Sequence, residues 1–173
     1  MKLEYKHLLP DEFDPQSRVW IYQASRLFTM SEALDIEDML NDFAASWTSH
    51  GDKVKGSAHL LFGQFIILIA DETASGVSGC STDSSVRLIK EIESKTGVSL
   101  FDRQSLAFVI KDKVQLLPMS QMTYAIENNF VDSDTLYFNN TVATKAELES
   151  NWIIPVKDSW LGKRYKFGNK VTS

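Results

Sequence analysis

The run Phe65-Ile66-Ile67-Leu68-Ile69-Ala70 constrains the fold more than any other stretch of this chain. Its six residues are all apolar, with Gly63-Gln64 before them and Asp71-Glu72 after. A membrane-crossing helix needs about 20 such residues, so no transmembrane segment is expected. In an extended chain, neighbouring side chains point to opposite faces, and a run apolar at every position has no face for water. The run therefore reads as the central strand of a sheet, covered on both sides by other parts of the chain.

The covering elements have their own signals. Thr29 and Glu32 stand at capping-box spacing, where each side chain satisfies an orphan amide of a helix start. Ile36, Met39, Leu40, Phe43, Ala44 and Trp47 follow at helical spacing and read as a core-facing stripe, with Gly51 as the helix stop. Val86, Ile89 and Ile92 mark a second helix, with Arg87–Glu91 and Glu91–Lys95 as i,i+4 pairs on its outer side and Gly97-Val98 at its end. Val19–Tyr22 and residues 53–62 read as strands. Gly63-Gln64 suits a tight turn with glycine at the first central position. Ser105–Ile110 and Val114–Leu117 alternate around Lys111-Asp112, which predicts a hairpin. Beyond Pro118 the sequence predicts a short helix after Ser120, a strand over Thr135–Phe138, and a short helix behind the capping-box pair Thr144 and Glu147. An irregular tail follows, containing Trp152, Pro155 and Trp160.

The order β-α-β-β-α-β-β over the first 117 residues predicts an α+β fold with an antiparallel sheet. The simplest arrangement for its first six elements is the ferredoxin-like split βαβ, extended by C-terminal strands and short helices. One domain is expected over 1–173. It would comprise an irregular N-terminal arm (1–16), an α+β core (17–117) and a C-terminal extension (118–173) packed on that core. Ten Phe and four Trp supply ample core material without a metal or disulfide.

Met1–Phe13 carries charges throughout and has no apolar stretch, so no signal peptide is expected. Cys80 is the only cysteine, which suits a reducing compartment and predicts a soluble cytoplasmic protein. The net charge of −5 is uneven. Residues 151–173 carry Lys157, Lys163, Arg164, Lys166 and Lys170 against Asp158, so the rest of the chain is strongly acidic. A basic tail can meet phosphate or an acidic partner, but nucleic-acid recognition needs a broad basic face that this composition does not provide.

Chemistry is expected where the third strand ends and the second helix begins. In a split βαβ unit the end of the third strand lies near the end of the first helix. Asp71, Glu72, the segment rich in Gly and Ser from Thr73 to Ser85, and His50 then share one rim. Gly79, Ser81, Thr82, Asp83 and Arg87 form a candidate anion site, because free amides at a helix start carry partial positive charge. The ordinary alternative is that Ser81, Thr82 or Asp83 simply caps the helix. Neither Gly-x-x-x-x-Gly-Lys-Ser/Thr nor Gly-x-Gly-x-x-Gly occurs in the chain. Cys80 is a candidate nucleophile or redox thiol, with His50 as its base. Six residues separate Cys80 from Arg87, where the phosphate cradle of cysteine phosphatases has five. An inert, partly buried thiol is the simpler reading. Asp71 and Glu72, as neighbours on a strand, point to opposite faces and read as a solvated strand end rather than an acid/base pair. His50 and His59 lack a third ligand, so no metal is expected, and no cofactor.

The segments Ser17-Arg18-Val19-Trp20-Ile21-Tyr22-Gln23 and Gly79-Cys80-Ser81-Thr82-Asp83-Ser84-Ser85-Val86-Arg87 resemble those of a small bacterial family of uncharacterised proteins, often labelled ABC transporter ATPase. The resemblance covers most of the chain and implies no known activity or catalytic residue. The phosphate loop with lysine that such a label calls for is missing from the sequence.

The expected function is a non-enzymatic binding or interaction module. It would self-associate or bind a protein partner, with a small anion held ahead of the second helix. The alternatives are a thiol-dependent enzyme or redox sensor using Cys80 and, last, a nucleotide-hydrolysing protein.

Overall fold

In the computed structural model, residues 1–73 and 80–168 are described, and the side chains of residues 80–82 lie outside that description. Along the chain the elements are β1 (Arg18–Gln23), α1 (Met30–Ser46), β2 (Thr48–Ser49), β3 (Asp52–Lys53), β4 (Lys55–Leu61), β5 (Phe65–Asp71), α2 (Cys80–Thr96), β6 (Ser105–Ile110), β7 (Lys113–Pro118), α3 (Met122–Glu127), β8 (Leu136–Phe138), α4 (Lys145–Asn151), β9 (Ile153–Pro155) and α5 (Trp160–Arg164). The fold is mixed α+β with antiparallel sheets. No helix among the described residues is long and apolar enough to cross a membrane. The chain divides into two compact units, one of Lys2–Asp102 with Ala143–Glu149, the other of Met1, Arg103–Val142 and Ser150–Ser173.

In the first unit the apolar run is the middle strand, as its composition requires. The sheet order is β1-β5-β4, both pairings are antiparallel, and all seven residues of β5 are buried. Ile66, Leu68 and Ala70 point into a core shared with Ile36 and Leu40 of α1 and Ile89 and Ile92 of α2. Each of these Ile and Leu side chains contributes about 1.5–3 kcal/mol on full burial. The N-terminal arm is anchored through buried Tyr5, Leu9 and Phe13. The Tyr5 ring meets Phe62, which meets Phe65, each pair at 6.4 Å. The Tyr5 hydroxyl donates to the Leu148 carbonyl.

This sheet departs from the four-stranded ferredoxin-like arrangement. Its three strands have the split βαβ order, but β6 does not join them and pairs instead with β7 and β8 in a separate sheet. Among the described residues, the outer edge of β1 is occupied by one bridge, Arg18 to Thr144. There Val19 N donates to Ala143 O at 3.0 Å and Lys145 N to Ser17 O at 2.9 Å. A hairpin placed in the expected 17–117 core thus groups with the C-terminal segments.

Two turns also differ from expectation. Gly51 does not end α1, which stops at Ser46 when Trp47 becomes extended. Instead His50 (φ 52°) and Gly51 (φ 83°) form the left-handed turn of the β2–β3 hairpin. Between β4 and β5 the left-handed residues are Phe62 and Gly63, with Gln64 N donating to Leu61 O at 3.1 Å, so glycine sits second and not first. Both turns have the backbone hand that matches strand twist.

The second unit carries a sheet of order β7-β6-β8-β9, all antiparallel. The β6–β7 turn at Lys111-Asp112 is the expected one, with both residues at positive φ. Its core gathers Leu106, Phe108, Met122, Tyr137 and Leu161. The tail, expected to be irregular, forms β9, a 3-10 turn and α5, whose first turn is capped by the Ser159 hydroxyl. Trp152 is fully buried, and its indole N–H donates to Asn140 Oδ1 at 2.9 Å.

Candidate functional site

The first helix ends on an aromatic residue whose ring is needed in the core. Trp47 is 1% exposed and packs between Phe43, 4.8 Å away, and Trp20, 5.8 Å away. Seating that ring turns the chain into β2, which lies against α2. The start of α1 is held by the full capping box: Thr29 Oγ1 accepts from Glu32 N at 3.2 Å, and Thr29 N donates to Glu32 Oε1 at 2.9 Å. Arg26 adds a two-pronged pair to the same carboxylate at 2.8 and 3.1 Å, and these bonds hold Glu32 down to about 2. A fixed start and a seated end give α1 one rotation about its axis.

The second helix divides its faces by the same logic. Ser85, Leu88, Ile89 and Ile92 are buried. Ser84, Arg87, Leu88, Glu91 and Lys95 line a cleft of about 510 Å³, opposite Met39, Asp42, Phe43 and Ser46 of α1 and beside Trp47 and Thr48. The end of α1, β2 and one side of α2 form this cleft; of the rim expected from the sequence, residues 74–79 lie outside the described residues, and Asp71, Glu72 and His50 do not line it.

Charge in this cleft is uneven. Lys95 pairs with Glu91 at 3.7 Å. The other expected pair, Arg87–Glu91, is not formed. Arg87 is exposed and makes no ion pair or hydrogen bond among the described residues. Asp42, also exposed, brings one carboxylate to the same cleft. The arrangement offers an uncommitted guanidinium against an apolar wall, with one carboxylate to limit how much negative charge it accepts.

The other expected residues are distributed as follows. Gly79 lies outside the described residues, as do the side chains of Cys80, Ser81 and Thr82, although the backbone of α2 begins at Cys80. Asp83 is exposed in the first turn of α2. His50 is exposed at the tip of the β2–β3 hairpin and does not line the cleft.

Asp71 is a correction. It was expected at a solvated strand end, but it is 2% exposed. Its Oδ1 accepts from Thr73 N at 3.0 Å and from Thr73 Oγ1 at 2.6 Å; its Oδ2 accepts from Asp14 N at 3.2 Å. Lys55 Nζ lies 3.4 Å away. The Thr73 hydroxyl bond, with the other donors, keeps this carboxyl ionised and lowers it to about 2. That makes it a structural tie between the arm and the sheet and removes it from acid/base work near neutral pH. Glu72 pairs with Arg18 at 3.4 Å. His59 is half-buried beside Ser57 Oγ at 3.0 Å, and burial lowers its pKa. No group of three His, Cys, Asp or Glu among the described residues could hold a metal ion.

Sequence reading missed Asp42, Phe43, Trp47, Thr48, Ser84 and Lys95 as cleft residues. Of the stripe from Ile36 to Trp47, Ile36, Leu40 and Trp47 are core, as its spacing predicts; Met39 and Phe43 are only half-buried. The available signal was the aromatic pair Phe43 and Trp47, one turn apart at a helix end.

Compared with protein-family models, with curated proteins and with solved structures, the chain matches none. Its own geometry is that of an α+β protein of two units, with an open, mixed polar and apolar cleft between the two long helices of the first.

Proposed function

We propose that this protein is a non-enzymatic binding module whose first unit holds a small organic monoanion in the α1–α2 cleft. The observation that carries the reading is Arg87, an exposed guanidinium without a partner among the described residues, in a cleft walled by Met39, Phe43, Trp47 and Leu88. A guanidinium recognises a carboxylate through two parallel N–H···O bonds, and the aromatic wall suits an apolar body attached to it. Asp42 favours a single negative charge over a multiply charged phosphate. The ferredoxin-like core is proposed in reduced form, as a split βαβ sheet whose fourth position is filled by the Ala143–Lys145 segment. The single cysteine and the resemblance to a bacterial family support a bacterial, cytoplasmic setting.

Isothermal titration with benzoate, acetate and inorganic phosphate tests this. Benzoate is expected to bind most tightly, and Arg87→Ala to weaken it about tenfold, the scale of one charge-assisted pair. Equal heats for wild type and Arg87→Ala would dispose of the reading.

A further inference from the structure

The second unit has a feature that the anion cleft does not explain. Among the described residues, strand β7 is the last strand of its sheet and pairs with β6 alone. The two-residue turn makes Ile110 and Lys113 a hydrogen-bonded pair, so the same holds for every second pair along the ladder. Met119 N, donating to Gln104 O at 2.7 Å, continues this alternation. Val114 and Leu116 therefore turn their backbone N–H and C=O groups away from β6, toward the open edge. Among the described residues a long contact lies on that edge, from Gln115 Nε2 to Leu116 O at 3.5 Å.

Beside this edge runs a mainly apolar groove of about 540 Å³. Lys113, Gln115 and Leu117 of β7 line it together with Tyr124, Ala125 and Phe130. Tyr124 and Phe130 are 63% and 57% exposed, and their rings stack 6.4 Å apart. Two large rings left in water beside an unpaired strand edge are features that natural sheets usually blunt. Lys111 and Lys113 stand at the turn end of the groove. Two lysines against the one carboxylate of Asp112 between them leave this end of the groove net positive.

We propose that this edge and groove dock an extended acidic segment of a partner protein. The segment adds as a strand to β7 by bonding Val114 and Leu116. It sets an apolar side chain against Tyr124 and Phe130 and places a carboxylate on Lys111 and Lys113. Main-chain bonds supply the general attraction, the groove selects the side chain, and the lysines select acidic over basic sequence.

The test is fluorescence anisotropy with a labelled peptide of about eight residues that alternates Glu with Val and carries one Phe, a length that spans an ordinary strand. Two companion probes are used, one with Lys in place of every Glu and one N-methylated along one edge. The acidic probe is expected to bind, with each companion at least about tenfold weaker. The double variant Lys111→Glu/Lys113→Glu is expected to reverse the preference in favour of the basic probe, an outcome that a misfolded protein cannot give. Leu116→Pro removes one outward N–H without touching the β6 ladder, and is expected to abolish binding while the circular dichroism spectrum is kept. Equal binding of acidic and basic probes, or indifference to N-methylation, overturns the proposal. So does a concentration-dependent dimer that Leu116→Pro dissolves, because the edge would then belong to a second copy of this chain.

Discussion

Replacing Gly56 by alanine tests the seat of Trp47, on which the shape of the α1–α2 cleft depends. Gly56 lies in β4 opposite Ala70 of β5. A Cβ there would stand 2.8 Å from Trp47 Cζ3, closer still to Cε3, and 3.3 Å from the Ile69 carbonyl. The indole has nowhere to retreat, since it is 1% exposed and packed between Trp20 and Phe43. Forcing one methyl group into such a site costs about 1–3 kcal/mol. For a chain of this length each kcal/mol lowers Tm by about 2–4 °C, so a fall of about 2–12 °C is expected. The assay is thermal unfolding followed by near-ultraviolet circular dichroism, where the tryptophans report, repeated in urea to compare slopes. Trp47→Phe in the Gly56→Ala background removes the clashing ring atoms, so the double variant is expected to lose about 1 kcal/mol less than the two single losses together. A Gly56→Ala protein with the wild-type Tm, or strict additivity with Trp47→Phe, would refute the reasoning.

Acid should act on the Asp71 tie. Its folded pKa of about 2 lies below the ordinary 3.8, so the unfolded chain takes up the proton first. The stability it contributes is present above pH about 4 and is lost as pH falls toward about 2. Asp71→Asn is expected to cost about 1–3 kcal/mol at pH 7 in urea unfolding and to flatten the acid limb; an unchanged acid limb would count against it. Tyr5 works in the opposite range. Burial and the nearby Glu149 push its hydroxyl up to about 12, so its contribution persists below pH about 10 and is lost as pH rises toward about 12. Tyr5→Phe, which leaves the Leu148 carbonyl without that donor, is expected to cost about 1–2 kcal/mol, checked by urea unfolding at pH 7 with a spectrophotometric tyrosine titration of the wild type.

Local signals were legible in the sequence; choices of partner were not. Phe65–Ala70 has no polar position, so only a doubly covered strand could hold it. Thr29 and Glu32 meet through bonds three residues apart, and the Lys111-Asp112 hairpin closes on itself, so neither depends on distant chain. Strand β6 pairs with Leu136 and Tyr137, far along the sequence, and alternation of apolar residues cannot tell which edge a strand will join. β9 is three residues long, too short for a period to be read. Gly51 misled because glycine closes helices and hairpins alike; the deciding fact was the burial of Trp47 four residues earlier. Arg87 was legible as an anion-site candidate from its place near the start of the second helix, but the α1 wall opposite it and its lack of an ion pair were not. Arg87 and Glu91 have the spacing of an ion pair, and only the structure shows Glu91 turned to Lys95. Asp71 was misplaced because its donors, Asp14 N and Thr73, come from the arm and from beyond the strand.

The claim that Arg87 and the aromatic wall form one binding site is tested most directly by nuclear magnetic resonance, following the Arg87 NεH signal and backbone amides through a benzoate titration. A saturable shift of Arg87 that is shared by Ser84, Trp47 and Thr48, and is lost in Arg87→Lys, is the expected result. Shifts spread evenly over the lysines and arginines without saturation, or an Arg87 signal that stays still while others move, would contradict it.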